Sequence, residues 1–301
     1  MSAAFLPRST RAVSTADRQV RLAGTLASAY LVAGTIPMAL YARNTGDAVP
    51  LIAHLAALLA CTVLLTTEWS ALAVARDWLP LALGPYLYVE LRWLITGAGQ
   101  PHADARVIQW ERALFPGDLS ATWAVQMPVR WISEALHIAY ASYYLLVYLP
   151  PALLYLRGRR DAFATTLLAL AIVYGICFTT YLFFPVDGPR FLVGPAAAPD
   201  GPMRTFVLHL LQAGSSRGTA FPSSHVAASV VASLCALRFQ PPVGVVVSLF
   251  TIGLTLGTVY GGFHYAVDAL VGVIVGLAAW ALAMALCRAL STPGAHRATA
   301  A

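Results

Sequence analysis

His264 and Asp268 stand four residues apart in GTVYGGFHYAVDALVG, residues 257–272. On a helix, residues four apart share a face. A carboxylate beside an imidazole fixes the ring tautomer and stabilises positive charge on it, which a histidine attacking phosphorus requires. The same spacing also serves a purely structural pair. Gly261 and Gly262, just upstream, permit a tight turn and close approach of a substrate.

A second histidine, His225, follows Pro222, Ser223 and Ser224 in FPSSHVAASVV, residues 221–231. Proline suits a first helical turn, and a serine there caps free amides. Those amides and the positive end of the helix dipole attract an anion. Arg217 lies shortly before, in SSRGTAFPSSH. The plainer reading is a capping serine beside a structural histidine.

A third stretch, FFPVDGPRF at residues 183–191, ends a helix with Pro185, Gly188 and Pro189. It leaves Arg190 on a stiff segment, where a guanidinium can grip two phosphate oxygens. An arginine that sets topology or touches lipid headgroups would sit there equally well.

These residues need elements to position them. Of 301 residues, 59% are hydrophobic and only 11% charged, against about 25% charged in soluble domains. So few charges cannot cover a soluble surface of this size, and an all-α polytopic membrane protein is expected. A helix crossing a bilayer needs about 20 apolar residues. Eight runs qualify, at about 22–42, 49–67, 78–96, 133–156, 162–184, 224–240, 243–261 and 264–289. Pro150 and Pro151 are expected to kink the fourth or end it early. Glu90 and Arg92 sit near one end of the third, reaching the interface or the bundle interior.

All 19 basic residues are arginine, and they orient the bundle. With the N-terminus cytoplasmic, eleven lie inside, including Arg157, Arg159 and Arg160, against seven outside. The net charge of +6 comes without a basic stripe and interleaved aromatics, so nucleic acid is excluded as a partner. Cys61, Cys177, Cys235 and Cys287 all lie in apolar runs, with no disulfide or zinc spacing. Residues 97–132 and 185–222 form long outer loops, each with an amphipathic helix at the membrane surface; the second includes MRTFVLHLLQAG. In this arrangement all three stretches converge on one membrane face.

The three motifs resemble the type 2 phosphatidic acid phosphatase superfamily, whose pattern is Lys-x6-Arg-Pro, Pro-Ser-Gly-His and Ser-Arg-x5-His-x3-Asp. GPRF, FPSSHVA and GTVYGGFHYAVD follow its order over about residues 78–289. Phe183 replaces the first lysine, Phe191 the proline, Ser224 the glycine, and Gly257 and Thr258 the Ser-Arg pair. YLFFPVDGPR and FPSSHVA look closer to the inositol phosphorylceramide synthase-like branch.

The resemblance implies a six-helix core at 78–289. Two added helices at 22–77 precede it, with a cytoplasmic segment at 1–21 and a disordered tail at 290–301. It implies that His264 attacks phosphorus, Asp268 orients His264, and His225 protonates the leaving alcohol and then activates the acceptor. Arg190, Ser223 and Ser224 would hold the phosphate. From loop position, Arg217 or Arg204 would replace the missing third-motif arginine. No metal or other cofactor is called for, since arginines and amides supply the electrostatics. The expected partners are membrane lipids and a phosphorylated lipid substrate, turned over at the extracytoplasmic face of a bacterial plasma membrane. Water as acceptor makes a lipid phosphate phosphatase, and an alcohol makes a headgroup phosphotransferase. A protein that binds or moves phospholipids without turnover is the third reading. Thr258 is expected near the outer interface, with room for an arginine.

Overall fold

The computed structural model describes residues 14–67, 69–115 and 117–291. Among these residues the chain forms thirteen α-helices and no strand. In order they are α1 (Thr15–Thr45), α2 (Val49–Thr66), α3 (Ala73–Ala98), α4 (Asp104–Leu114), α5 (Leu119–Gln126), α6 (Arg130–Ala141) and α7 (Tyr143–Leu156). There follow α8 (Arg160–Phe183), α9 (Pro189–Leu192), α10 (Pro202–Gly214), α11 (Ser224–Phe239), α12 (Pro241–Tyr260) and α13 (Ala266–Ser291).

Each of the eight apolar runs is helical. Five helices, α1, α2, α8, α12 and α13, are long and apolar enough to cross a membrane singly, and the bent pair α6–α7 makes a sixth. α11 has 16 residues, about 24 Å of helix against a hydrocarbon core of about 30 Å. α3 is long, but Asp77, Glu90 and Arg92 dilute its apolar character. The two long loops are helical as expected, the first with two helices, α4 and α5, where one was expected, and the second with α10. The expected tail lies almost wholly in 292–301, and most of the expected N-terminal segment in 1–13, outside the described residues.

The bend in the fourth span falls at Ser142, with 45° between α6 and α7, and not at the prolines. Ser142 Oγ donates to the Ala139 carbonyl at 2.6 Å, and a hydroxyl competing for a helix carbonyl bends the chain. α7 runs through Pro150 and Pro151, where Gln240 Nε2 donates to the Pro150 carbonyl at 2.8 Å.

Packing around α8 builds the core; Phe163, Phe178 and Tyr181 on it are fully buried. α13 lies against α11 through Gly272 and Gly276. A Cβ at either would stand 2.7 Å from the carbonyl oxygen of Ser223 or Ala227, so only glycine allows this approach, as at small-residue helix seams in membranes. Glu90 turns inward. Both its oxygens meet Nδ1 of the fully buried His54, at 3.1 and 3.0 Å. Buried charge in a bundle demands such a partner. At the opposite end from the motifs, Arg160 pairs with Asp77 and lies 3.6 Å from Asp17, tying α8 to α3 and α1.

Candidate active site

The C-terminal ends of α8 and α12 meet the N-terminal ends of α11 and α13. Around this junction lies a small cavity of about 30 Å³ bordered by Arg190, Ser215, Ser216, His225 and His264.

Its frame is a set of cross-links between loops. Val186 and Thr219 form a parallel bridge, with Val186 N–H donating to Gly218 O at 3.2 Å and Ala220 N–H to Val186 O at 2.8 Å. The bridge fixes the Arg190 segment against the segment leading into α11. Asp187 adds to it, accepting from Gly218 N at 2.9 Å and Arg217 Nη1 at 2.8 Å, with His102 Nδ1 at 3.0 Å. Asp104 of α4 accepts from the backbone amides of Asp187 and Gly188 at 3.1 and 3.0 Å.

Two further carboxylates, from the first long loop and the helix after it, cap distant helices. Glu111 on α4, almost fully buried, accepts from Ala266 N at 3.2 Å and Val267 N at 2.8 Å, at the start of α13. Burial pushes its carboxyl up, against the pull of those two amides. Glu134 on α6 accepts from Met203 N at 3.0 Å and Arg204 N at 3.1 Å, at the start of α10. The first amides of a helix have no partner within it, so a carboxylate from elsewhere both satisfies them and sets where the helix begins.

His264 lies in the turn before α13, not on the helix itself. The four-residue spacing therefore works differently from a shared helical face. Asp268 Oδ2 accepts from Tyr265 N at 2.9 Å, capping α13 from its third position. The same oxygen stands 3.5 Å from His264 Nδ1. A closer partner is the carbonyl oxygen of Ala220, 3.0 Å from Nδ1. A carbonyl only accepts, so Nδ1 carries the proton and Nε2 keeps its lone pair. The ring is buried, and its pKa is lowered from 6.5 to about 4. Burial is the main cause, the Ala220 bond works against it, and the Arg190 charge adds to it.

His225 opens α11 and is held by rings. Tyr143 lies 4.2 Å away between centroids, Tyr140 stacks at 5.6 Å, and Tyr88 of α3 meets it edge-on at 6.2 Å. The stretch before it is anchored from α8. The buried Tyr181 hydroxyl donates to Pro222 O at 2.8 Å and accepts from Ser224 N at 3.1 Å.

Arg190 is half-buried, donates to Ser215 Oγ and lies over the Phe191 ring at 4.1 Å. Ser216 Oγ, on the cavity wall, is buried with no partner among the described residues. A buried hydroxyl without a partner is a ready donor for a bound anion.

The other sequence-expected residues stand differently. Ser223 is fully buried as the α11 cap, its Oγ accepting from Val226 N at 3.5 Å and its own N–H donating to Asp268 O at 3.1 Å. Neither Ser223 nor Ser224 borders the cavity. Arg217 is held by Asp187 and faces a neighbouring cavity with Arg92 and His102. Arg204 is held by Asp200 and by Ala196 O at 3.0 Å. Gly262, at φ 67°, lets residues 194–198 approach. A Cβ there would stand 2.6 Å from Ala196 N, so the close approach expected of a substrate is taken by the chain itself. Thr258 is fully buried, with Oγ1 donating to Thr255 O at 2.8 Å. The expected room for an arginine at an open interface is absent, because Phe263 and His264 fold back to donate to the Thr258 carbonyl at 2.9 and 3.1 Å.

Tyr88, Tyr140, Tyr143, Ser215, Ser216, Glu111 and Asp104 escaped the sequence reading. Only SSR, beside Arg217, offered any signal.

The family model of the PAP2 superfamily covers residues 105–282, more than half of the chain. No curated protein and no solved structure matches.

Proposed function

Since the chain belongs to the PAP2 superfamily, we propose that it is a membrane lipid phosphate phosphatase working through a phosphohistidine. The observation that carries the reading is His264. Its Nδ1 is tied to Ala220 O and neighbours Asp268, and the ring shares one cavity with His225 and Arg190.

In the first half-reaction His264 Nε2 attacks phosphorus. A P–N bond forms, the P–O bond to the alcohol breaks, and His225 gives a proton to the leaving oxygen. In the second half, His225 takes a proton from water, the hydroxide oxygen attacks phosphorus, and the P–N bond breaks to release phosphate. Arg190 and the hydroxyl of Ser216 hold the phosphoryl oxygens as charge develops on them. Asp268 stabilises the positive ring of the intermediate.

A headgroup phosphotransferase uses the same first half with an alcohol in place of water. The observation favouring it is the tyrosine wall around His225, which shields the acceptor-activating ring from water. The arginine asymmetry supports a site on the extracytoplasmic face.

Purified protein in detergent, given phosphatidic acid with and without a hydroxylated acceptor, tests the reading. Free phosphate without an acceptor supports hydrolysis, and release or transfer only with an acceptor supports the transferase. His264→Ala retaining wild-type turnover sinks both.

A further inference from the structure

α3 has two faces with different partners. Tyr86, Glu90, Leu94 and Gly97 recur every three or four residues on one, and Tyr88, Arg92 and Ile95 on the other. Residues two apart on a helix do not share a face, so Glu90 and Tyr88 point away from each other.

The first face is locked to α1 and α2. Glu90 and His54 are 2% and 0% exposed. His54 Nε2 stands 2.9 Å from the Leu31 carbonyl, which only accepts, so Nε2 carries a proton. Nδ1, at 3.1 and 3.0 Å from the two Glu90 oxygens, shares a second proton with the carboxylate. The Tyr86 hydroxyl donates to the same carboxylate. A Cβ at Gly34 of α1 would stand 3.3 Å from both His54 Cε1 and Leu94 Cδ2, and one at Gly97 only 1.9 Å from Pro37 O. Three helices meet here with no room to slide. A buried, bonded network of this kind specifies one arrangement, where an apolar seam accepts several.

The second face meets the site. The Tyr88 ring borders the cavity and stands edge-on to His225 at 6.2 Å. Its hydroxyl lies 3.4 Å from Thr219 Oγ1. Thr219 Oγ1 gives its own proton to Ser216 O at 2.7 Å, which leaves Tyr88 as the donor. Thr219 precedes Ala220, whose carbonyl holds His264 Nδ1. One tyrosine therefore braces the surroundings of both histidines.

We propose that Tyr88 is a positioning residue for His225, and that the His54–Glu90 pair acts on the site through it by fixing the rotation of α3. The inference rests on the proposed roles of His225 and His264. It makes α1, α2 and α3, which all precede the family match at residues 105–282, part of the active-site machinery.

Two variants test this. His54→Leu combined with Glu90→Leu removes the pair and leaves an apolar seam, a replacement that buried ion pairs tolerate. Neither residue borders the cavity, so no substrate contact changes. Tyr88→Phe keeps the ring and loses the hydroxyl at a half-buried position, and it decides the matter if the double variant does not fold. The readout is kcat/KM for p-nitrophenyl phosphate divided by kcat/KM for dioleoyl phosphatidic acid. p-Nitrophenolate leaves without an acid, whereas a lipid alcohol needs the proton of His225. A displaced His225 raises the ratio, while a general loss of folded protein lowers both values equally. Both variants are expected to raise it about threefold or more. A smaller change in either folded variant overturns the inference and leaves the phosphatase reading intact. Wild-type protein that turns over neither compound overturns that reading, and the inference with it.

Discussion

His264 Nδ1 lies closer to the backbone carbonyl of Ala220, at 3.0 Å, than to the carboxylate four residues along the chain, at 3.5 Å. The carbonyl belongs to the segment stitched to the Arg190 loop through Val186. The tautomer of His264, the proposed nucleophile, is therefore set by the same cross-link that places Arg190, the proposed phosphate ligand. Asp268 caps α13, and in the proposed mechanism it also stabilises charge on the ring.

That division predicts a mild Asp268→Asn phenotype. The amide oxygen still caps Tyr265 N–H and Ala220 still fixes the tautomer, so only the charge stabilisation is lost. kcat should fall about 10- to 100-fold with KM little changed. A loss equal to that of His264→Ala, measured by steady-state kinetics in detergent, would give Asp268 the tautomer role instead.

The pH profile follows from the burial of His264. Its folded-state pKa is depressed from 6.5 to about 4. The ring is thus neutral and nucleophilic down to that pH. The limb of kcat/KM due to His264 should fall as pH drops through about 4. Stability moves the same way. The unfolded chain binds this proton first, so stability is lost as pH falls from 6.5 towards 4 and is fully present above 6.5. An acid limb centred near 6.5 that disappears in His264→Ala would contradict this.

Glu111 tests the trans-capping. Glu111→Ala strands two buried amides at the start of α13, which costs about 2–3 kcal/mol of stability. Activity should fall as the His264–Asp268 turn loosens. Glu111→Gln keeps one strong acceptor and should recover a large part of both. Thermal unfolding in detergent together with kcat checks this; an unchanged melting point for the alanine variant rules the cap out as a stabilising contact.

Much of the fold was legible because apolar runs of bilayer length leave few alternatives, and the ranges around α2, α8 and α12 needed little change, while α1 begins seven residues before the expected run. His225, His264, Asp268 and Arg190 were legible because they lie in short patterns with chemical meaning. Ala220 was not, because its contribution is a carbonyl and any residue has one. Tyr88 reaches His225 from α3, and Glu111 reaches α13 across 155 residues of chain. Neither spacing carries a signal. The prolines misled for a related reason: Gln240, far along the chain, supports the helix at Pro150, and the bend moves to Ser142.

The two loop arginines should separate cleanly. Arg190→Ala removes a cation from the cavity wall and should lower kcat/KM about 10- to 100-fold, with partial recovery in Arg190→Lys. Arg217→Ala breaks a half-exposed pair with Asp187 and should change kcat/KM by less than about fivefold. Equal losses from the two would place Arg217 on the phosphate.

Trapping the covalent intermediate tests the central claim most directly. p-Nitrophenyl phosphate has a leaving group good enough to depart without an acid, so His225→Ala should still be phosphorylated but slow to turn over. After an alkaline quench, ³¹P NMR or mass spectrometry of His225→Ala should find phosphohistidine at His264, approaching one per chain, and none in His264→Ala. Phosphate on another residue, or labelling that persists in His264→Ala, would contradict the account.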